Sequence, residues 1–289
     1  MNRKVGKMLV SLKEQMDIAQ KGSFAVPAFN VYNIETMMGV MQAAEKACAP
    51  VILQVYARLF RNGEAQWLAA AILAAAGKAE VPVCFHLDHG ISDMEIERAL
   101  KWGATGVMFD GSLLPLEENI VRTQDVVEKS RRNGVAVEGE LGHVGSVNDE
   151  SMGELTNVRD AVKFVEKTKV TALAVLVGNA HGHYKKSPHL DIDRLKEIYK
   201  ETNYVPLVLH GGSGIPDDQI RCAVKAGIRK VNFGTDVCCS FLNSVKAEIG
   251  NLEKNVALDL FMKKPVEAVE KFCLTKIRLL GAEGMAEKK

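Results

Sequence analysis

Eight short apolar runs alternate along the chain with segments of helical spacing. The runs cover residues 24–29, 51–55, 81–87, 106–109, 135–141, 172–177, 206–209 and 230–233. Between them, apolar residues recur every three or four positions, as in Ile34, Met37, Met38, Met41 and Ala44, or Met94, Ile96, Ala99 and Leu100, so these segments predict amphipathic helices. Repeated strand-helix units imply a parallel sheet. Eight units within about 250 residues is the count of a TIM (β/α)8 barrel, and a doubly wound open sheet is the competing arrangement. The strand ends favour the barrel. Nearly every run finishes in a polar group: Asn30, Gln54, Asp88 and His89, Asp110 and Ser112, Glu138 and Glu140, Asn179 and His181, His210, Asn232 and Thr235. An open sheet gathers such groups at one switch point, whereas a barrel collects all the strand ends into one ring.

No linker or low-complexity stretch divides the chain. Residues 1–289 read as one (β/α)8 domain, with 253–289 as a C-terminal helical tail in which Val266–Leu280 is the clearer helix. The length of 289 residues, with 47% hydrophobic and 25% charged residues, supports a large core. A formal net charge of +1 provides no broad basic field, so nucleic acid is not an expected partner. The six cysteines form no CxxC pair, which fits buried thiols in a reducing, cytoplasmic compartment. No apolar window reaches the roughly 18–20 residues of a membrane span, and no signal-peptide core precedes the first run.

Three histidines carry the strongest chemical signal. His89, His181 and His210 each follow an apolar run, and each is followed by glycine. One such histidine more often caps a strand and bonds to backbone. Three of them, with glycines that admit close backbone approach, predict a three-histidine Zn²⁺ site with an open position on one rim of the barrel. Imidazole donors suit zinc, and no thiolate cluster competes. Asp88 then stands beside the metal, while His86, two residues earlier, reads as a barrel-interior group. Gly211-Gly212-Ser213-Gly214 after the seventh run and Asn232-Phe233-Gly234-Thr235 after the eighth occupy the places where many barrels hold a phosphate. Lys185, four residues after His181, is a candidate to add positive charge there. Glu138 and Glu140 alternate onto one face of their strand, where buried carboxylates need a partner. They read as hydrogen-bond partners of a metal-bound histidine or as an alternative ligand.

Taken in order, the motifs resemble those of class II, zinc-dependent ketose-bisphosphate aldolases, of which fructose- and tagatose-1,6-bisphosphate aldolases are the best-known members. The matching segments are His86-Leu87-Asp88-His89-Gly90, Phe109-Asp110-Gly111-Ser112, Val137 to Gly142, His181-Gly182 with Tyr184-Lys185, Leu209 to Pro216, and Val231-Asn232 with Thr235. The resemblance spans about Val10 to Ser244. It implies that His89, His181 and His210 bind catalytic Zn²⁺ and that Glu140 lies beside the metal. Asp88 then exchanges the proton of the hydroxyl formed or lost at the cleaved bond. Gly182, Gly211, Ser213, Asn232 and Thr235 match positions that hold dihydroxyacetone phosphate, and Gly234 lies within the same segment. The family also often uses a monovalent cation, Na⁺ or K⁺, near the phosphate and assembles as a homodimer or homotetramer.

The far half of the site departs from the family pattern. Asn148 stands near where a loop glutamate usually serves as acid or base, so Asp149 or Glu150 is the expected substitute. Leu113 replaces a histidine after Asp-Gly-Ser, and Val55-Tyr56-Ala57 replaces a serine or threonine segment. No C-terminal arginine for a far phosphate is evident, and Arg58, Arg61, Lys263 and Lys264 are candidates for that charge. The expectation is a bulkier, less cationic far pocket and a substrate other than fructose 1,6-bisphosphate. Two other readings use the same residues: a metal-dependent hydrolase or isomerase on the barrel, and a catalytically weakened sugar-phosphate-binding relative that Asn148 keeps in play.

Overall fold

The computed structural model describes residues 8–147, 153–182, 184, 187–250 and 257–286. Eight parallel strands close into a barrel in sequential order, β1 to β8. They are β1 (Val26–Asn30), β2 (Val51–Tyr56), β3 (Val83–Gly90), β4 (Gly106–Phe109), β5 (Ala136–Leu141), β6 (Ala172–Val175), β7 (Leu207–Leu209) and β8 (Ile228–Phe233). The helices are α1 (Leu12–Gly22), α2 (Ile34–Lys46), α3 (Ala57–Asn62), α4 (Ala65–Lys78), α5 (Asp93–Lys101), α6 (Leu116–Arg131), α7 (Val158–Thr168), α8 (Ile192–Glu201), α9 (Asp217–Lys225), α10 (Thr235–Ile249) and α11 (Leu258–Leu279). None of the described helices is long and apolar enough to cross a membrane.

The two ends of the barrel are built differently. At the N-terminal end, α1 acts as a plug. Gln15 donates to the carbonyls of Val51 and Pro82, both at 3.1 Å, and Leu12 is fully buried. Apolar side chains thus seal the floor while a side-chain amide satisfies carbonyls at the β2–β3 edge. Toward the C-terminal end the interior turns polar. Asn30, Gln54, His86, Asp88, Glu138, Glu140, His210, Lys230 and Asn232 are all buried. Strand alternation puts Asn30, Gln54 and His86 in register across β1, β2 and β3, so these groups form a layer inside the barrel. A core of this kind survives only if its members satisfy one another.

Several element boundaries differ from the runs read in the sequence, and two of the differences bear on the core. β8 begins at Ile228, which draws Lys230 from a strand edge into the barrel interior at 0% exposure. α11 begins at Leu258 and passes through Pro265, which sequence alone suggests as a helix start. Its buried residues Val266, Val269, Cys273 and Ile277 keep helical spacing. Gly39 of α2 permits the close crossing of these helices, since a Cβ there would lie 2.7 Å from Val269 Cβ and 2.8 Å from the Val266 carbonyl oxygen.

Candidate active site

The C-terminal mouth holds a cavity of about 510 Å³, of the size that takes a small metabolite. His89, His181 and His210 converge in it. Their ring centroids lie 4.7 Å (His89–His210), 5.0 Å (His89–His181) and 5.9 Å (His181–His210) apart, and one nitrogen of each falls within 4.8 Å of the others. His89 Nδ1 faces Asp110 Oδ2 at 2.8 Å, and His210 Nε2 faces Glu138 Oε1 at 2.8 Å. An ionised carboxylate only accepts, so each of these ring nitrogens is the donor. The remaining lone pairs, on His89 Nε2 and His210 Nδ1, then point at one another across 3.1 Å. That contact is repulsive unless a proton or a metal ion sits between the two nitrogens. His181 Nε2 is also buried and without a hydrogen-bond partner. The donor set fits a divalent ion of zinc type, with two ligands oriented by carboxylates behind them.

The position of His89 depends on irregular backbone. In a regular strand Asp88 and His89 would point to opposite faces. Here His89 takes φ 55°, and the β3–β4 register shifts between Leu87 and Gly90. Left-handed backbone at a residue with a Cβ costs about 1–2 kcal/mol. It turns both side chains into the same cavity, with His89 Nε2 3.9 Å from Asp88 Oδ1.

Asp88 is held from both sides. Asn30 Nδ2 donates to its Oδ2 at 2.7 Å, and Asn232 Nδ2 donates to its Oδ1 at 3.3 Å. Gln54 Nε2 donates to Asn30 Oδ1 at 3.2 Å, and Lys230 Nζ donates to Asn232 Oδ1 at 2.8 Å. Each amide oxygen is thereby occupied, which leaves each amide N–H directed at the carboxylate. Lys230 Nζ also pairs with Glu138 Oε2 at 2.9 Å. One buried cation therefore links the support of His210 to the orientation of Asn232.

The electrostatics follow from these contacts. Burial alone would raise the Asp88 pKa, but His89, His210, Lys230 and the Asn30 hydrogen bond outweigh it and hold the carboxyl below its ordinary value. Burial also opposes ionisation of Asp110 and Glu138. His89 and Ser112 overcome it at Asp110, and Lys230, His210 and His86 overcome it at Glu138, which stays well below the usual range. His89 is pushed up to about 10: burial lowers it, but Asp88, Asp110 and Glu140 raise it more. His181 falls to about 3 through burial and the neighbouring His89 and His210. Glu140 rises to about 8, driven by burial and Asp110 and opposed by His89. The surroundings of His89 thus favour positive charge, while His181 presents a neutral ring, and a bound cation satisfies both conditions.

Glu140 Oε2 lies 3.5 Å from His210 Nδ1 and 4.0 Å from His89 Nδ1. With His89 and Asp110 it forms a second group whose ligand atoms lie within 4.8 Å of one another. Glu138 and Glu140 thus both face the interior, as strand alternation requires.

The loops after β6, β7 and β8 line the same cavity through Gly182, Gly211, Ser213, Asn232, Gly234 and Thr235. α10 starts directly after Gly234 and has no N-cap side-chain bond, and Gly234 and Thr235 at its N-terminal turn line the cavity. Ser213 Oγ accepts from the Asp236 amide at 3.2 Å and ties the loop after β7 to that turn. Gly211, at φ 62°, is required by a neighbouring chain segment: a Cβ there would sit 2.0 Å from the Ala180 carbonyl oxygen. This glycine serves the approach of the loops after β6 and β7. Lys185, Asn148, Asp149 and Glu150 lie outside the described residues.

Tyr56, Arg58, Arg61 and Ile91 line the part of the mouth beyond β2 and β3, and Tyr32 lines it beside Gly234. Leu113 is 79% exposed and not part of the cavity lining, so the expectation that it shapes the pocket fails. The loop after β4 turns Leu113 outward, and His143 lines the site with Nδ1 3.0 Å from Ser112 Oγ. Of the candidates for positive charge here, Arg58 and Arg61 line the cavity, whereas Lys263 and Lys264 do not.

The class II fructose-bisphosphate aldolase family model matches residues 10–285. The chain belongs to that family. It is 36% identical to a 6-phospho-5-dehydro-2-deoxy-D-gluconate aldolase of Halalkalibacterium halodurans, over 97% of this chain and 99% of the relative. It is 34% identical to a sulfofructosephosphate aldolase of Alkalicoccus urumqiensis, over 96% and 98%. Among solved structures, the YdjI aldolase from Escherichia coli K12 matches with TM-score 0.87 and 35% identity, covering 97% of this chain and 100% of that one. A fructose-1,6-bisphosphate aldolase-like protein from Coccidioides immitis matches with TM-score 0.86 and 26% identity, over 94% and 96%. The chain is accordingly an aldolase, a carbon–carbon lyase.

Three features of this aldolase site escaped the sequence reading. The signal for Lys230 was its spacing, two residues before Asn232 and so on the same strand face. The service of Asp110 to His89 joins residues 21 positions apart, and only strand adjacency brings them together. His143 lies on a loop whose path no periodicity describes.

Proposed function

We propose that this aldolase is zinc-dependent and cleaves a phosphorylated ketose to dihydroxyacetone phosphate and an aldehyde, with His89, His181 and His210 as the ligands. The observation that carries the reading is the convergence of three imidazoles, two backed by carboxylates and one with a free buried nitrogen, beside the ionised Asp88. Bound zinc supplies Lewis-acid stabilisation of the negative charge that develops on the ketose oxygens.

The protein's own groups handle position and protons. The phosphate lies at the N-terminus of α10, against Gly211, Ser213, Gly234 and Thr235, where backbone N–H groups and the helix dipole favour an anion. Asp88 accepts the proton of the hydroxyl on the carbon β to the ketone. As that proton leaves, the bond to the α carbon breaks, the hydroxyl carbon becomes the aldehyde carbonyl, and the electron pair passes to the ketose fragment as an enediolate. Asn232 lies beside the reacting end and keeps its amide on Asp88. Protonation of the α carbon yields dihydroxyacetone phosphate, and Asp149 or Glu150 is assigned that step. Glu140 stands beside the ligands as an alternative ligand, and a monovalent cation accompanies the phosphate. The relatives' names denote phosphorylated sugar derivatives, which supports the substrate class.

Exchange of the hydroxymethyl protons of dihydroxyacetone phosphate for solvent deuterium, with no aldehyde present, tests this reading. Exchange is expected with the zinc-loaded enzyme and is lost after chelation. A zinc-loaded enzyme that exchanges no proton and releases no dihydroxyacetone phosphate from any ketose phosphate would overturn it.

A further inference from the structure

Two of the three histidines stand beyond the reach of the ladder between their strands. β6 and β7 pair at Leu173 with Leu207 and at Ala174 with Val208, and the pairing goes no further. His181 and His210 follow these strands, and their rings are the most widely separated pair of the three, with centroids 5.9 Å apart. Something other than the sheet sets that spacing.

Side chains of the loop after β6 take over. Asn179 Nδ2 donates to the His210 carbonyl at 3.2 Å, and its Oδ1 accepts from the Val177 amide at 2.9 Å. Tyr184 makes the second tie. The Ala180 amide donates to its hydroxyl oxygen at 2.7 Å, which leaves the hydroxyl proton for a carbonyl, that of Ala180 at 2.8 Å or that of Gly211 at 3.3 Å. Ala180 precedes His181, and Gly211 follows His210. One phenol thus joins the backbone on the near side of one histidine to the backbone on the far side of the other.

The other edge of the His181 segment is held by backbone alone. The His181 amide donates to the Gly145 carbonyl, and the Val147 amide donates to the His181 carbonyl, both at 2.9 Å. That bridge sets His181 against the loop after β5 but not against His210. The ring of Tyr184 is placed separately, by packing beside Gly214, where a Cβ would lie 3.2 Å from its Cδ2. Removing the oxygen alone therefore separates the tie from the packing. A hydroxyl that only satisfied buried backbone could stay within its own loop, whereas this one also reaches Gly211 where the ladder has ended.

We propose that the Tyr184 hydroxyl is a positioning group for the metal site, which holds His181 at the spacing from His210 that a divalent ion requires. It acts through two stretches of backbone and is not itself a ligand. The proposal rests on the three-histidine reading above and names a residue that governs affinity for the ion.

The test compares wild type with Tyr184→Phe in three measurements: zinc affinity by competition with a chromophoric chelator, the thermal midpoint of the metal-free protein, and the visible spectrum of the Co²⁺-loaded protein. Loss of a partner behind a ligand lowers metal affinity about 10- to 100-fold. Tyr184→Phe is expected near the lower end, about tenfold, because the bridge to Gly145 and Val147 persists. The metal-free midpoint moves by no more than about 4 °C, the scale of one lost hydrogen bond in a domain of this size. The cobalt bands, which report coordination geometry, shift in the variant. A zinc affinity within about twofold of wild type overturns the proposal. So do cobalt bands that coincide with those of wild type. A metal-free variant that no longer folds also overturns it, since the hydroxyl would then serve the fold and not the metal site. Wild type that takes up no zinc removes the three-histidine reading and this proposal with it.

Discussion

The two sides of the mouth are made of different material. On the ligand side, His89, Asp88 and His210 sit at strand ends and are held by groups behind them, His89 by Asp110, His210 by Glu138, and Asp88 by Asn30 and Asn232, while His181 reaches the cluster from the loop after β6. On the far side, Arg58 and Arg61 ride on α3 and Ile91 on the loop after β3, with Ile91 55% exposed. A change on the first side breaks a network whose members are buried and interdependent. A change on the second alters contacts with one end of a ligand. The first arrangement suits chemistry that stays constant, and the second suits specificity that can be retuned without disturbing the core.

Mutations ranked across this divide put the contrast at risk. His181→Ala and His210→Ala should produce the largest losses, in zinc content and turnover together, because two protein ligands hold the ion poorly. Elemental analysis with a parallel cleavage assay reads both, and full zinc retention with near-native turnover would exclude these ligands. Asp88→Asn should keep zinc yet lose cleavage by roughly 10²- to 10⁴-fold. Wild-type turnover there would reduce Asp88 to an orienting group.

Glu138→Gln comes next. It removes the ionised acceptor behind His210 and the counter-charge of Lys230, so zinc affinity should fall about 10- to 100-fold. Competition with a chromophoric chelator measures this, and unchanged affinity would mean that Glu138 does not support the ligand. The smallest effect belongs to Leu113→Ala. That side chain is 79% exposed and outside the cavity, so kcat/KM should stay within about twofold for any substrate. A larger change would show that the loop after β4 reaches the ligand after all.

The same divide governs what the sequence made legible. Strands announced themselves as apolar runs ending in polar groups, and the ligand-side histidines stand at those ends, so pattern alone located them. Gly211 was singled out correctly, but for close approach to a ligand rather than to the Ala180 carbonyl. The far side was misjudged because its residues sit where periodicity says nothing about direction. Leu113 looked like a wall of the pocket and faces solvent. Arg61 was counted with Arg58 as a spare charge, yet it is spent on Glu95, an acid 34 residues away in sequence. Lys230 stood at the start of the eighth run, and Glu138 and Asn232, which face it, make its burial tolerable.

The left-handed turn at His89 carries a mechanical consequence. Asp88 and His89 are consecutive residues on a single bent peptide, so the proton acceptor and the neighbouring imidazole behave as the two arms of a rocker with a fixed pivot. A shift of this peptide moves both side chains, and an insertion between them would disconnect the arms. In the proposed reaction, seating of the ion at His89 and proton transfer at Asp88 would share one covalent link, a coupling that two residues on separate strands would have to maintain through packing alone.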